Sequence, residues 1–545
     1  MARTKKTAKT VDKELTLETV LWNCRVALRG IGSLEKNRDA VIGLVFLKFA
    51  GDKFQQRRAE LEEQYKDDPG KDFFIEQPTF YTEANVFYLP ENCRWEEIKK
   101  NAGKAGLDVR LDNAMADIET KNSSLKGVLQ KNLYSTLGAA QSKLKALVDE
   151  VDNLKQENYP GVDLIGRTYE YFLQIYAASG TKEDGEFYTP KSVVKLIAEL
   201  IEPYSGVVYD PCCGSGGMFV QSMKFVESHS GQKKDISILG QESNPATWQL
   251  ARMNLASRGI SCNLGTKAVS TFLKDEHAHK KVNYVMANPP FNFKGWQSAT
   301  QTGETPDARF TDYGMPSDSN ANYAWILHIL SKLDVNNGIA GFLLSNGALN
   351  ATGVEYEIRQ KLLLKDRIDA IIVLPRNMFY TTDISVTLWI LNMNKKAQTR
   401  NGHMLRDRRN EVLFVDLRQW SGNIEEIKID KKSSKKKTYL TDEQIAKVKE
   451  IYENWKSADP ERNALVNDVP ELCRAVPLTG ENSIQSHNYA LTPSSYIRFI
   501  DHDLDIDYPK EMTRIQSEMK NILKQEKVTQ RMLEDAFRGI GYGIE

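Results

Sequence analysis

Net charge is the first thing this sequence lacks. Its 73 Lys and Arg residues are balanced by 73 Asp and Glu, which excludes a chain that holds nucleic acid by its own overall field, because phosphate neutralisation supplies much of such affinity. Basic patches are confined to residues 3–9 and to the run Lys431-Lys432-Ser433-Ser434-Lys435-Lys436-Lys437; runs of this kind are more often solvated loops than DNA contacts. Cysteine is scarce. Cys24, Cys93, Cys212, Cys213, Cys262 and Cys473 form no Cys-x-x-Cys pair and have no His at metal spacing, so a reducing compartment and no structural metal are expected. No apolar run is long enough to span a bilayer, and residues 1–13 are basic and polar with no apolar core behind them. A cytoplasmic protein without a membrane segment is therefore expected.

What is present is length and periodicity. A chain of 545 residues has material for two or three domains. Over 16–154 the text is helical: Leu17, Val20, Leu21 and Cys24 repeat at helical spacing, as do Val41, Ile42, Val45, Phe46 and Phe49, and an all-helical domain over 1–157 is predicted. Over 158–420 apolar strands alternate with helices. Strands are predicted at 207–209, 236–240, 263–269, 282–287, 339–344, 368–373 and 386–391, which argues for an α/β, parallel, doubly wound sheet with ligands at its carboxyl edge. Between 292 and 322 lies a long polar segment with Trp296, Phe310 and Tyr313 embedded, read as a lid or a disordered loop. Residues 421–510 form a connecting region. A terminal domain, 511–545, begins with an amphipathic helix carrying Met512, Ile515, Met519, Ile522 and Leu523 on one side; its stripe is expected to bury against another chain.

Three stretches carry chemistry. Val285-Met286-Ala287 runs into Asn288-Pro289-Pro290-Phe291, a buried strand ending in a rigid turn whose amide and carbonyls form a rim of acceptors beside an aromatic face. Such a rim suits a planar group with an amino substituent, although the four residues alone also fit a strand-ending turn with a surface Phe. The strand 207–209 runs into Asp210-Pro211-Cys212-Cys213-Gly214-Ser215-Gly216-Gly217-Met218. This is a glycine bend between strand and helix, where backbone approaches a ligand closely, but not the dinucleotide spacing. Glu242 follows the next strand, where a partner for two ribose hydroxyls would stand, although taken alone it is more often a helix-start carboxylate. Ahead of both, Glu186-Phe187-Tyr188-Thr189-Pro190-Lys191 precedes an apolar helix that Thr189 can cap, with Pro190 in its first turn.

With these pieces in order, the chain resembles the modification subunit of type I restriction-modification systems, a family of N6-adenine DNA methyltransferases, and the resemblance covers nearly the whole chain. It implies a Rossmann-like methyltransferase sheet between an all-helical N-terminal domain and a helical C-terminal tail. It implies S-adenosylmethionine as cofactor, held by Glu186, Phe187, Tyr188, Thr189, Pro190, Lys191, Asp210, Gly214, Ser215, Gly216, Gly217 and Glu242. Asn288, Pro289, Pro290 and Phe291 match the catalytic tetrapeptide. Val373-Leu374-Pro375-Arg376-Asn377-Met378-Phe379 is similar to a later motif whose aromatic holds the extruded base, which would make Phe291 and Phe379 the target-base residues. Asn488-Tyr489-Ala490-Leu491 and Ser495-Tyr496-Ile497 resemble the segment after the catalytic domain. The implied partners are DNA, a specificity subunit carrying two copies of this chain, and a restriction (translocase and nuclease) subunit. One departure is that no acidic residue follows the third strand, where Ser270 offers a weaker hydrogen bond and Phe272 an apolar wall. The same tetrapeptide also serves enzymes that methylate protein glutamine or RNA amino groups, and a degenerate assembly scaffold is the non-enzymatic alternative.

Overall fold

The computed structural model describes residues 17–159, 164–179, 188–229, 231–232, 235–297, 307–380, 382–428, 434–466, 469–498 and 508–539. The chain divides into two units, 1–497 and 498–545.

The helical domain is built around Leu34–Gln64, in which every residue from Asn37 to Gly51 is buried. A helix that is apolar on all sides must be surrounded, and its polar members are accordingly paired. Arg38 Nε meets Asp39 Oδ1 at 2.9 Å, and Asn37 Nδ2 donates to the Leu28 carbonyl. Gly43 leaves room for the Tyr134 hydroxyl, which sits 2.7 Å from where a Cβ would stand and donates to the Ala40 carbonyl. The same core continues onto Leu250 and Met253 of helix Pro245–Ser257, so the helical domain packs on the sheet domain through one side of that helix.

Strands among the described residues are β1 (Gly206–Asp210), β2 (Ile236–Gly240), β3 (Cys262–Asn263), β4 (Tyr284–Ala287), β5 (Ile339–Ser345), β6 (Ile368–Val373), β7 (Val386–Asn392), β8 (Gln398–Arg400), β9 (His403–Leu405), β10 (Glu411–Asp416), β11 (Ile424–Lys428), β12 (Ser434–Thr438) and β13 (Cys473–Pro477). Nine of them form one sheet in the order β13-β10-β6-β7-β5-β4-β1-β2-β3. β4, β5, β6 and β7 are buried at every residue because helices cover both faces. Helices Lys191–Ile201, Gly217–Ser228 and Asp442–Lys456 pack on one face, Asn322–Lys332 and Val354–Leu364 on the other.

The doubly wound α/β expectation holds, with corrections in detail. The sheet is mixed: β7 runs antiparallel to both β5 and β6, because the link 374–385 contains no helix and returns the chain as a hairpin. β3 is shorter than expected because the chain turns at Gly265, where Glu276 accepts from Thr266 N and Oγ1. The lysine run is no free loop. Its described part is β12, which pairs with β11 so that Glu425 faces Lys437 and Glu426 faces Lys436. Trp296, Phe310 and Tyr313 are buried in the core of the second face, so both ends of the 292–322 segment are anchored; 298–306 and the basic patch at 3–9 lie outside the described residues. In the second unit, helix Tyr508–Gly539 has no buried residue. No described helix is long and apolar enough to cross a membrane.

Candidate active site

β1 and β4 are parallel neighbours in the register Val208↔Tyr284 and Tyr209↔Val285, so Asp210 and Asn288 leave the sheet side by side at its carboxyl edge. One cavity is lined by Thr189, Asp210, Gly214, Ser215, Gly217 and Asn288, among others. The glycine bend and the proline turn thus open onto a common space. Tyr188 and Lys191 line it as well, and Pro190 starts the adjoining helix by accepting from Val193 N and Val194 N. Glu186 and Phe187 lie outside the described residues.

The bend is held by backbone bonds. Cys212 N donates to Asp210 Oδ1 at 3.0 Å, and Gly214 N donates to Glu242 Oε2 at 3.0 Å. Gly214 and Gly216 have φ of +54° and +82°, a region in which a side chain is strained. Burial pushes the Asp210 carboxyl up to about 7, helped by the Glu242 charge. Burial raises Glu242 too, against the hydrogen bonds its carboxylate accepts from Asn244, Gly214 and Ser243. A buried and a half-buried carboxylate at one bend make a site that favours a cation. Cys212 and Cys213 are pushed well up by burial and are inert filling behind the bend.

Asn288 is 9 % exposed. Its Nδ2 donates to Thr189 Oγ1 at 3.0 Å, while its Oδ1 is buried with no partner among the described residues. An orphaned buried acceptor costs roughly 1–3 kcal/mol and is the mark of a site awaiting a donor. Phe291 stands partly buried beside it, and Phe379 lies edge-on to Phe291 with ring centroids 6.4 Å apart. Phe379 itself is 1 % exposed, so here it backs Phe291 instead of facing the opening.

The family profile described as N-6 DNA Methylase matches residues 161–504. The chain belongs to that family. A second profile, the HsdM N-terminal domain, matches 17–151. The type I restriction enzyme HindI methylase subunit of Haemophilus influenzae is 32 % identical over 477 residues, covering 83 % of this chain and all of that one. The MjaIX methylase subunit of Methanocaldococcus jannaschii is 29 % identical over 544 residues, 97 % of this chain and 92 % of that one. A type I methyltransferase subunit from Streptococcus thermophilus superposes with a TM-score of 0.71 at 23 % identity, over 89 % of this chain and 99 % of its own, which shows a common fold. The chain is a methylase subunit of the type I restriction kind, an N6-adenine DNA methyltransferase.

Around the methylase tetrapeptide, sequence reasoning missed the residues that hold it. Asn292, with φ +55°, follows Phe291 directly. Its Oδ1 accepts from Asn322 Nδ2 (2.9 Å), Ser345 Oγ (3.1 Å) and Asn320 Nδ2 (3.2 Å), and its N–H donates to Asn322 Oδ1. One amide therefore ties the turn to the start of a helix and the end of β5; the only sequence signal was an excess of Asn at both ends of the segment. At the far end, Arg309 Nη1 donates to the Thr271 carbonyl at 2.9 Å, and Thr271 Oγ1 donates to the Pro211 carbonyl at 2.6 Å. Arg309 also meets His328 Nδ1, and Tyr209 OH lies 3.1 Å from Nε2. Burial first, then Arg309 and Lys332, drives His328 well below its usual range, so the ring is neutral with its proton on Nε2. In the segment after β3, Ser270 Oγ accepts from Phe272 N, and Phe272 is buried against Trp296 and Trp325.

Proposed function

We propose that this methylase moves the methyl group of S-adenosylmethionine to N6 of an adenine flipped out of DNA, in the cavity shared by the glycine bend and the Asn288 turn. The observation that carries the reading is the orphaned, buried Oδ1 of Asn288 in that cavity. The cavity also suits the cofactor: a Cβ built on Gly214 or Gly217 meets nothing within 4 Å, so backbone borders open space, and the buried Asp210 carboxyl supplies negative charge for a cationic ligand.

Bound there, S-adenosylmethionine supplies a sulfonium methyl already activated for transfer, which leaves the protein positioning and hydrogen bonding to do. Asp210 faces its positive charge. Glu242 braces the bend through Gly214 N–H and offers its remaining lone pairs to the ribose hydroxyls, while Tyr188, Lys191 and Ser215 line the cavity and Pro190 and Gly216 shape the segments that carry them. Asn288 Oδ1 and the Pro289 carbonyl accept the two hydrogens of the amine, Pro290 keeps the turn rigid, and Phe291 stacks on the base with Phe379 behind it. The adenine must leave the duplex, because its N6 is out of reach inside the stack. A scaffold has no use for a buried acceptor left open, which favours transfer over a purely structural role.

Asp210 gives a pH test. In the free chain its carboxyl is protonated below about 7, so a cation binding there must expel a proton. Cofactor affinity is expected to rise about tenfold between pH 6 and pH 8, about fivefold of it by pH 7, and to level off above pH 8, and Asp210→Asn to bind weakly with no such slope. Calorimetric titration at three pH values checks this; a flat wild-type profile would show that Asp210 does not meet the charge.

Target choice falls to partners: a specificity subunit carrying two copies of this chain, with a restriction subunit joining the assembly in the cytoplasm. Met512, Ile515, Met519 and Ile522 are exposed along one helix at the three-and-four spacing of a helix-to-helix seam. Purified alone, the chain is expected to bind cofactor and methylate DNA poorly; with its specificity partner it should place N6-methyladenine at one defined sequence. The double substitution Met519→Glu and Ile522→Glu is expected to abolish co-purification and leave cofactor binding unchanged. Mapping methylated bases in genomic DNA amplified in vitro reads the function, and robust site-specific methylation by the lone chain would overturn the partner assignment.

A further inference from the structure

We propose that Thr189 is a positioning residue for transfer: its hydroxyl anchors the Asn288 amide by Nδ2, with Oδ1 left to the target amine. The inference rests on the reading above and assigns Thr189 a task distinct from holding the cofactor. An amide side chain is a donor at one end and an acceptor at the other, and nothing in the turn itself chooses between them. Turned one way, Asn288 offers Oδ1 to the amine. Turned the other way it sets N–H against N–H, and the amine loses the acceptor that shapes its nitrogen for attack.

The amide is anchored from across the cavity. Thr189 Oγ1 accepts Asn288 Nδ2 at 3.0 Å, which leaves Oδ1 as the free end, buried and without a partner among the described residues. Thr189 is itself fixed on both sides. Tyr188 packs against Tyr380 with ring centroids 5.7 Å apart, and Tyr380 OH accepts from Gln174 Nε2 at 2.7 Å. Pro190 locks the backbone at the helix start, where its carbonyl accepts from Val193 N and Val194 N. The hydroxyl is therefore held on a rigid corner and imposes its geometry on the amide. Its partner is 99 residues away in the chain, so the contact exists only once the segment before β1 has folded over the proline turn.

The test compares the full chain and its Thr189→Val and Thr189→Ser variants, each with its specificity partner, on genomic DNA amplified in vitro and radiolabelled S-adenosylmethionine. Valine keeps the shape and removes the acceptor; serine restores it. The expected result is a kcat about tenfold lower for Thr189→Val, cofactor affinity unchanged, and recovery in Thr189→Ser. Cofactor binding by the valine variant also reports that it is folded. A valine variant with wild-type kcat, or one that loses cofactor affinity while keeping kcat at saturation, overturns the inference and leaves the proposed function standing. A wild-type assembly that transfers no methyl to adenine overturns that function, and this inference with it.

Discussion

Asn288→Ala is expected to lower single-turnover methyl transfer about 10³-fold, equivalent to about 4 kcal/mol, with cofactor affinity within about twofold of wild type. The size follows from what is removed. The free Oδ1 of Asn288 is buried, so no water is at hand to replace the acceptor the amine would lose. The contacts proposed for the cofactor lie on the glycine bend and on Glu242, which the substitution does not touch. Asn288→Asp keeps an acceptor at the same position, while Thr189 Oγ1, now without an N–H to accept, can donate to the carboxylate. That variant is expected to fall between wild type and alanine, which separates the need for an acceptor from the need for an amide. Labelled-methyl transfer under single-turnover conditions together with a cofactor titration reads both quantities. Transfer by the alanine variant within tenfold of wild type would remove Asn288 from the reaction.

Much of this site was legible because it is built from local signals. Strands β1, β2, β4, β5 and β6 were placed to within about two residues, since each is an apolar run flanked by helical periodicity. The parallel neighbours β1 and β4 then bring Asp210 and Asn288 together without further help. What escaped was information held only in the tertiary fold. The direction of β7 leaves no trace in its own uniformly buried run and depends on a connector with no helix among its described residues. β8 and β9 are mostly exposed three-residue strands with no alternation to read. The lysines of β12 looked like a free loop because what they pair with lies elsewhere in the chain: the strand β11 by its backbone and, for Lys437, Asp383 by its carboxylate. Asn292, Asn322 and Ser345 are unremarkable polar residues until the fold makes the first the shared acceptor of the other two. The bond between Thr189 and Asn288 is of the same kind: both residues were singled out, but for separate tasks.

The largest stability effect lies at the opposite edge of the sheet. Asp369, the second residue of β6, and Arg408, ahead of β10, are both fully buried, 3.6 Å apart. Asp369 Oδ2 also accepts from Tyr452 OH at 2.7 Å and Asn392 Nδ2 at 3.1 Å, which ties β6 and β7 to helix Asp442–Lys456. Arg408→Met is expected to cost about 3 kcal/mol, because it strands a buried carboxylate. Burial alone would raise the Asp369 carboxyl, yet Arg408 and Lys395 pull it below the usual range. A depressed folded value means that the ionised form stabilises the native state above the unfolded carboxylate range, and that this contribution is lost as pH falls through the folded value. In Arg408→Met the larger of those two pulls is gone, burial prevails, and the sign reverses. Acidification then protonates a carboxyl that is better off neutral, so the variant's deficit should narrow between pH 7 and pH 5. Pairing Arg408→Met with Asp369→Asn should recover most of the loss, since no charge is left stranded. Urea titrations at both pH values, read by tryptophan fluorescence from Trp455 under the Arg408 guanidinium, measure each difference. Transfer per folded molecule should stay at the wild-type rate in all three variants, because the cluster sits at the amino end of β6 and ahead of β10, whereas the methylase site lies at the carboxyl ends of β1 and β4. A deficit that stays the same at pH 7 and pH 5 would mean that Lys395 alone suffices to hold Asp369 ionised.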